Sequence, residues 1–355
     1  GNITLDAHES ATIVAQAFAA AAAVGLGGVG IALSGAGVFA GNTILGDVDV
    51  YASNSVLDSA GDVVLQARNI SVIQAATLGV SVAVGAGVAA GFGVSIGAAI
   101  ASNTIESGVH AYLLDTAVTA AGDLDVRARA SQSIDAAVNA VSVAASAGGF
   151  AGIGLSGAGA SVANSVAADV KAYINGTDPG KNGVGARGVF ADNVRLDARD
   201  DSSVDATVGA VSVAVGLGFC GLAVSIGISD ASNSINNDVQ AYATAARIGA
   251  TGDLTITATE QATIAATATA AAVAISTTAA GAGTGVTTGS IIRTTTRAYA
   301  DPVELDVGGG IRINAKSIVG LLVEPVALLT ELLLSAPVEP GVKVIALPVI
   351  VPPIK

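Results

Sequence analysis

The chain of 355 residues has no Trp, no Met and one Cys, and aromatic residues make up only 3% of it. A lone thiol, Cys220, excludes a disulfide scaffold. Charged residues are 12%, against roughly 25% in an ordinary soluble domain. The little charge present is acidic. A net −13 and a pI near 4.4 repel phosphate and exclude nucleic acid as a partner. A mean hydropathy of +0.68 excludes disorder. The chain opens on a repeat motif with no initiator Met and no visible secretory signal, so it reads as a piece of something longer or processed.

What the sequence has instead is Gly, Ala and repetition. A Gly/Asp/Asn pair followed by an alternating strand and an Ala occurs first as Gly1-Asn2-Ile3-Thr4-Leu5-Asp6-Ala7. It returns at Gly61-Asp62, Gly122-Asp123, Asp192-Asn193, Gly252-Asp253 and Gly309-Gly310. All five tyrosines hold one position of this period: Tyr51, Tyr112, Tyr173, Tyr242 and Tyr299. A fixed distance before them stand Asn42, Asn103, Asn164, Asn233 and, last, Ser290. The boundaries fall near 1–60, 61–121, 122–191, 192–251 and 252–308, with a partial unit at 309–316. The long third interval contains a turn-rich insertion, 175–188.

Each unit contains a long uncharged stretch, such as Arg68 to Glu106 or Asp135 to Asp169. Its period is two. Val80, Val82 and Val84 alternate with Ser81, Ala83 and Gly85, and Val211, Val213 and Val215 with Ser212, Ala214 and Gly216. Interior Gly and the lack of an aromatic belt argue against membrane helices, so no membrane span is expected. The apolar parity switches once, between Gly79 and Val80, Ala140 and Val141, and Ala210 and Val211. A switch of this kind predicts a bulge or corner, and at least four strands per unit joined by tight turns. Both strand faces lack charge, so both are expected to be covered, with the small face admitting a close neighbour. The fold expected is all-β, a repetitive β-solenoid or stacked β-array of about five 60-residue repeats. Layers of 20 to 30 residues would place two or more in each repeat, and one wide layer is the other option.

Beyond Ser317 the pattern changes. Six of the eight prolines lie after residue 320. Pro325–Ser335 reads as a short helix, and 342–355 as an extended apolar segment, so 317–355 forms a C-terminal helix and tail. It serves as a cap over the last repeat or as a donor segment for the next molecule, with Val342, Val344, Ile345, Val349, Ile350 and Val351 as assembly residues.

Sites of chemistry are few. Gly25–Gly30, Gly152–Gly157 and Gly216–Gly221 fit GxGxxG, but recur as turn glycines and not as one dinucleotide site. His8 and His110 lack metal-ligand spacing and read as surface residues, and Cys220 reads as a buried apolar residue. No catalytic constellation emerges, and the expectation is that the chain is no enzyme. Acidic residues gather at the polar strands, among them Asp47, Asp49, Asp115, Asp123, Asp125, Asp200, Asp201 and Asp253. They read as a solvated face, with no cofactor expected; Ca²⁺ is the one ion such carboxylate rows would suit. The Asn set reads as a stacked amide ladder and the Tyr set as a stacking row.

A Gly/Ala/Val-alternating core, an Asn-[ST]-[IV] segment, an Ala-Tyr strand and a Gly-Asp-[VL]-x-[VLI]-x-Ala strand form one unit over residues 1–316. That unit resembles the repeat region of giant secreted bacterial surface proteins, the leukotoxin-type filamentous adhesins. The resemblance implies an extracellular, β-rich protein of the bacterial cell surface. The function expected is a structural subunit of a filament or surface fibre, with copies of itself as partners. The alternative is an adhesin module holding a glycan or a cell-surface receptor.

Overall fold

The structure is a computed structural model that describes residues 1–177 and 188–333. Among these residues it is all strand and turn, with no helix. The elements are β1 (Ile3–Ser53), β2 (Val56–Ser59), β3 (Val63–Leu114), β4 (Ala117–Ala120), β5 (Leu124–Gly148), β6 (Ala151–Asn175) and β7 (Val189–Ala191). They continue as β8 (Val194–Leu217), β9 (Cys220–Thr244), β10 (Ala246–Ala250), β11 (Leu254–Ser276), β12 (Ala279–Ala300), β13 (Val303–Val307) and β14 (Ile311–Leu333).

Every pairing is parallel. The chain makes one wide pass, runs outbound, turns over at a Gly-rich tip, returns, and crosses the base through a short strand. The next pass then pairs with it in register. β1 pairs with β3 along nearly its whole length, Ile3 opposite Val63 and Ser53 opposite Leu114. The first part of β3 pairs with β5 and its second part with β6. Outbound strands thus stack as β1, β3, β5, β8, β11 and β14, and return strands as β1, β3, β6, β9 and β12. The short strands form a third sheet, β13-β10-β7-β4-β2. The cross-section is a nearly closed, barrel-like outline within a solenoid-like repeat.

The pass is therefore about 60 residues wide, not 20 to 30, and holds three stretches of strand, not four. The parity switch has a different origin from the expected bulge. Register runs unbroken through Gly79/Val80, Ala140/Val141 and Ala210/Val211. What changes is the content of the two faces. In β3, Leu65, Ala67 and Ile73 point inward near the base, and Gly79, Ser81, Ala83 and Gly85 continue the same inward row toward the tip. The valines 80, 82 and 84 continue the outward row.

The base encloses two apolar clusters, one around Leu65, Leu113, Leu124, Ile174 and Leu196 and one around Ile73, Ile105, Ile134 and Ile264. Toward the tip the outbound and return sheets close on each other and form a thin blade. A methyl group on Gly93 or Gly97 would lie 2.6 Å from the carbonyl oxygens of Ala145 and Val141, and one on Gly227 2.7 Å from that of Ala271. The sheets are nearer than the ~10 Å that interdigitated side chains impose. Only Gly, Ala and Ser fit between them, so the branched residues must face out. No described residue covers the charge-free outer face of the blade, which was expected to be covered.

The outbound strand β14 runs to Leu333 and pairs with β11 from Ile311 opposite Leu254 to Leu333 opposite Ser276. This corrects the helix expected from Pro325 and the boundary at 316/317. Pro325 sits opposite Ala268 on a strand that, among the described residues, is paired along one flank only, where a missing N–H is tolerated. The assembly residues Val342, Val344, Ile345, Val349, Ile350 and Val351 lie outside the described residues, as does most of the insertion, 178–187. No helix among the described residues is long and apolar enough to cross a membrane.

Candidate functional site: axial ladders and an acidic groove

Because passes stack in register, any side chain placed once per pass meets its own counterpart. The Gly-Asp/Asn motif is the first case. Asn2 Oδ1 accepts from the Asp62 amide at 3.1 Å, Asp62 Oδ1 from Asp123 at 3.0 Å, and Asp123 Oδ1 from Asn193 at 3.1 Å. Asn193 Oδ1 then accepts from Asp253 at 2.8 Å, and Asp253 Oδ1 from Gly310 at 2.7 Å. At this corner each carboxylate or amide satisfies a backbone N–H that the strand pairing leaves free. The opposite corner turns on a left-handed residue: Asn54 (φ 47°), Asp115 (φ 46°), Gly176 (φ 78°) and Ala245 (φ 49°). Asn, Asp and Gly suit this conformation, while Ala245 adopts it at a steric cost.

Inside, Asn42 donates to Asn103, Asn103 to Asn164 and Asn164 to Asn233, at 2.8, 2.8 and 2.9 Å. Asn233 reaches Ser290 at 3.4 Å. The tyrosines stack on the outer return face, Tyr51 to Tyr112 to Tyr173 to Tyr242 to Tyr299, with centroids 4.7–5.1 Å apart and planes within 7°. Their faces cover one another and leave only edges and hydroxyls for solvent. Burial, with neighbouring tyrosines and carboxylates, lifts the Tyr173 hydroxyl to a pKa of about 12 and raises that of Tyr242 as well.

A further ladder went unread in the sequence. Ser34, Ser81, Ser95, Ser142, Ser156, Ser212 and Ser225 form one hydroxyl chain that crosses between the two sheets of the blade at every step, each Oγ–Oγ distance 2.9 Å. The signal was present: pairs of serines recur 14, 14 and 13 residues apart on either side of the tip.

Two carboxyl groups also escaped notice as a pair. Asp200 and Glu260 occupy paired positions on β8 and β11 and are fully buried between the two apolar clusters. Asn237 Nδ2 lies 2.7 Å from Asp200 Oδ2 and 3.1 Å from Glu260 Oε1, and Ser202 Oγ lies 2.7 Å from Asp200 Oδ2. Asp200 Oδ1 and Glu260 Oε2 have no hydrogen-bond partner among the described residues. Burial, reinforced by Glu260, pushes the Asp200 carboxyl well above its ordinary pKa, and burial raises Glu260 to about 7.

On the outer return face near the base lies an open groove of about 700 Å³ lined by residues including Leu45, Asp47, Glu106, His110, Asp169 and Asp238. His110 is not a free surface residue. Its Nδ1 is 2.9 Å from Asp49 and its Nε2 3.5 Å from Asp169, whose other neighbour is Lys171 Nζ at 2.6 Å. Asp169 first, then Asp49, raise the imidazole pKa against the opposing effect of burial. His8 is exposed on β1. Among the described residues no group of three or more His, Cys, Asp or Glu side chains converges as a metal site. Cys220 is exposed, because it opens a return strand at the tip where no neighbour covers it. The GxGxxG glycines lie at the tip or just after it: Gly25–Gly30 and Gly216–Gly221 straddle the turn, and Gly152–Gly157 begins β6.

No family model matches this chain, and no curated protein or solved structure matches it.

Proposed function

We propose that the chain is a structural subunit of an extracellular bacterial filament or surface fibre, a β-solenoid of five wide repeats that grows end to end. The observation that carries this reading is the set of axial ladders. Corner carboxylates, core amides, serines and tyrosines each ask of the next pass what they receive from the previous one. Such a stack gains stability by nearest-neighbour addition and sets no length of its own. In this reading the 342–355 segment docks on the next copy, and the fibre belongs to the cell surface, as the resemblance to filamentous adhesins implies.

Cryo-electron microscopy of the purified chain near neutral pH tests the reading. Filaments with a layer line near ~4.8 Å are expected, and rods of single-molecule length would count against it. Deleting 342–355 is expected to leave folded, unassembled monomers. The groove beside His110 favours a second reading, an adhesin module for a glycan or receptor. A glycan array screened with and without Ca²⁺ that gives reproducible binding, lost on Glu106→Ala, would support it.

A further inference from the structure

The outer face of the blade on its return side is an apolar sheet surface that no other described residue covers. It is built from residues 29–38, 90–99, 151–160, 220–229 and 279–286, none of them charged. Phe92, Val94, Leu155, Leu222 and Val224 project outward at its tip end. Next to them runs a row that alternates down the axis: Gly35, Ile96, Gly157, Ile226, Gly283. Ile96 is 59% exposed and Ile226 48%. A methyl group on Gly35, Gly157 or Gly283 would touch none of the described residues. Unlike the inward glycines, these have no steric reason within the fold, and glycine weakens a strand. In this row isoleucine ridges are separated by glycine troughs, two layers or about 9.6 Å from ridge to ridge, while the row beside it, Leu33-Val94-Leu155-Val224, is apolar in every layer but the last.

We propose that this face pairs with the same face of a second copy of the chain, ridge into trough. A two-fold axis running along the strands between β3 and β6 sets β3 against β6 of the partner copy and β9 against its β1. Ile96 then enters the trough over Gly157 of the partner copy, and Ile226 the trough over its Gly35. One face serves both partners, as an isologous contact requires.

Area and charge agree with this occupant. Four strands overlap about this axis; at about 4.8 Å apart and about 30 Å of strand they give roughly 580 Å² per copy, at the low end of the ~600–1,000 Å² per partner of a specific interface. Most of the described acidic side chains lie toward the base, Glu331 beside Ala282 at the β12 edge being an exception, so pairing through the blades keeps most of them apart. A bilayer fits less well, because it would leave the unpaired edges of β1 and β12 in hydrocarbon. The pairing is lateral and does not depend on the axial growth proposed above.

The test is sedimentation velocity on four full-length proteins: wild type, Gly157→Ile, Ile96→Gly and the double swap. Wild type is expected to dimerise in the micromolar range. Gly157→Ile sets two ridges against each other and is expected to weaken the dimer at least about tenfold, with a thermal midpoint unchanged or raised. The double swap exchanges ridge for trough and is expected to restore the dimer. Axial association passes through strand edges and is common to all four proteins, so it cannot mimic loss and rescue at residue 157. If Gly157→Ile does not fold, Ile96→Thr replaces it, with the same loss expected. A monomeric wild type, an undiminished Gly157→Ile dimer, a failed rescue, or flotation of wild type with phosphatidylcholine vesicles in place of pairing would each overturn the proposal.

Discussion

Near the base, β3 turns Leu65 and Ile73 inward and carries Gln66 and Arg68 outside; toward the tip the same strand turns Ser81 and Ala83 inward and carries Val82 and Val84 outside. Base and blade share register, backbone pairing and strand continuity. They differ in what separates the sheets. In the base, branched side chains fill the gap, and burial of apolar area at about 25 cal/mol per Å² is the main stabilising term. In the blade the gap is closed by backbone, and the interior is small residues plus a hydroxyl chain. Alternation shows which residues share a face; the space between the sheets decides which face is inside.

The comparison can be broken first at the blade interior. Gly97→Val places a branched side chain where even a methyl lies 2.6 Å from the Val141 carbonyl, and should cost more than about 4 kcal/mol in urea unfolding. In the base, Ile134→Ala removes a fully buried side chain and should cost about 2–5 kcal/mol, whereas Val82→Ala on the blade exterior should cost under about 1 kcal/mol. Equal costs for those two would erase the distinction.

The acid pair gives the base a pH dependence that the blade lacks. Glu260 has its pKa raised in the folded chain from 4.5 to about 7. Its contribution is therefore full below pH 4.5, falls as pH rises, and is lost above about 7, a swing of about 3 kcal/mol. Unfolding measured at pH 5 and pH 8 should show it, and Glu260→Gln should flatten the slope. Asn164→Ala interrupts the amide ladder, leaves the Asn103 amide without its acceptor, and should cost about 1–3 kcal/mol by the same measurement. The smallest effect belongs to His110. Its raised pKa means stability held below pH 6.5 and lost as pH rises through the folded value, by under about 1 kcal/mol at this partly exposed site; an NMR titration of the imidazole checks the direction.

The repeat period, the corner motif and the alignment of Asn42 with Asn103 or Tyr51 with Tyr112 were all legible, because register turns equal spacing in sequence into contact in space. The change at Gly79/Val80 is visible as a parity switch, but apolar residues mark the interior only where side chains fill the space between the sheets. Pro325 and the leucines after it carry helix signals, yet pairing with β11 along the whole of β14 overrides local propensity. Asp200 and Glu260 are two acids among many, yet local alternation marks them: Asp200 continues the inward row of Leu196 and Ala198, and Glu260 that of Ile256 and Ala258. His110 was set aside for lack of a sequence neighbour, when its partners Asp49 and Asp169 stand one pass away on each side.

The width of the pass has a mechanical side. β1 alone is 51 residues long and is hydrogen-bonded to β3 along almost all of it, with those bonds directed along the stacking axis. A pull along that axis loads the whole ladder together, whereas a pull at one edge peels it bond by bond. Tensile strength in such a rod grows with the breadth of each layer and not with their number, so a broad, thin cross-section resists end-to-end load and yields at a lifted corner.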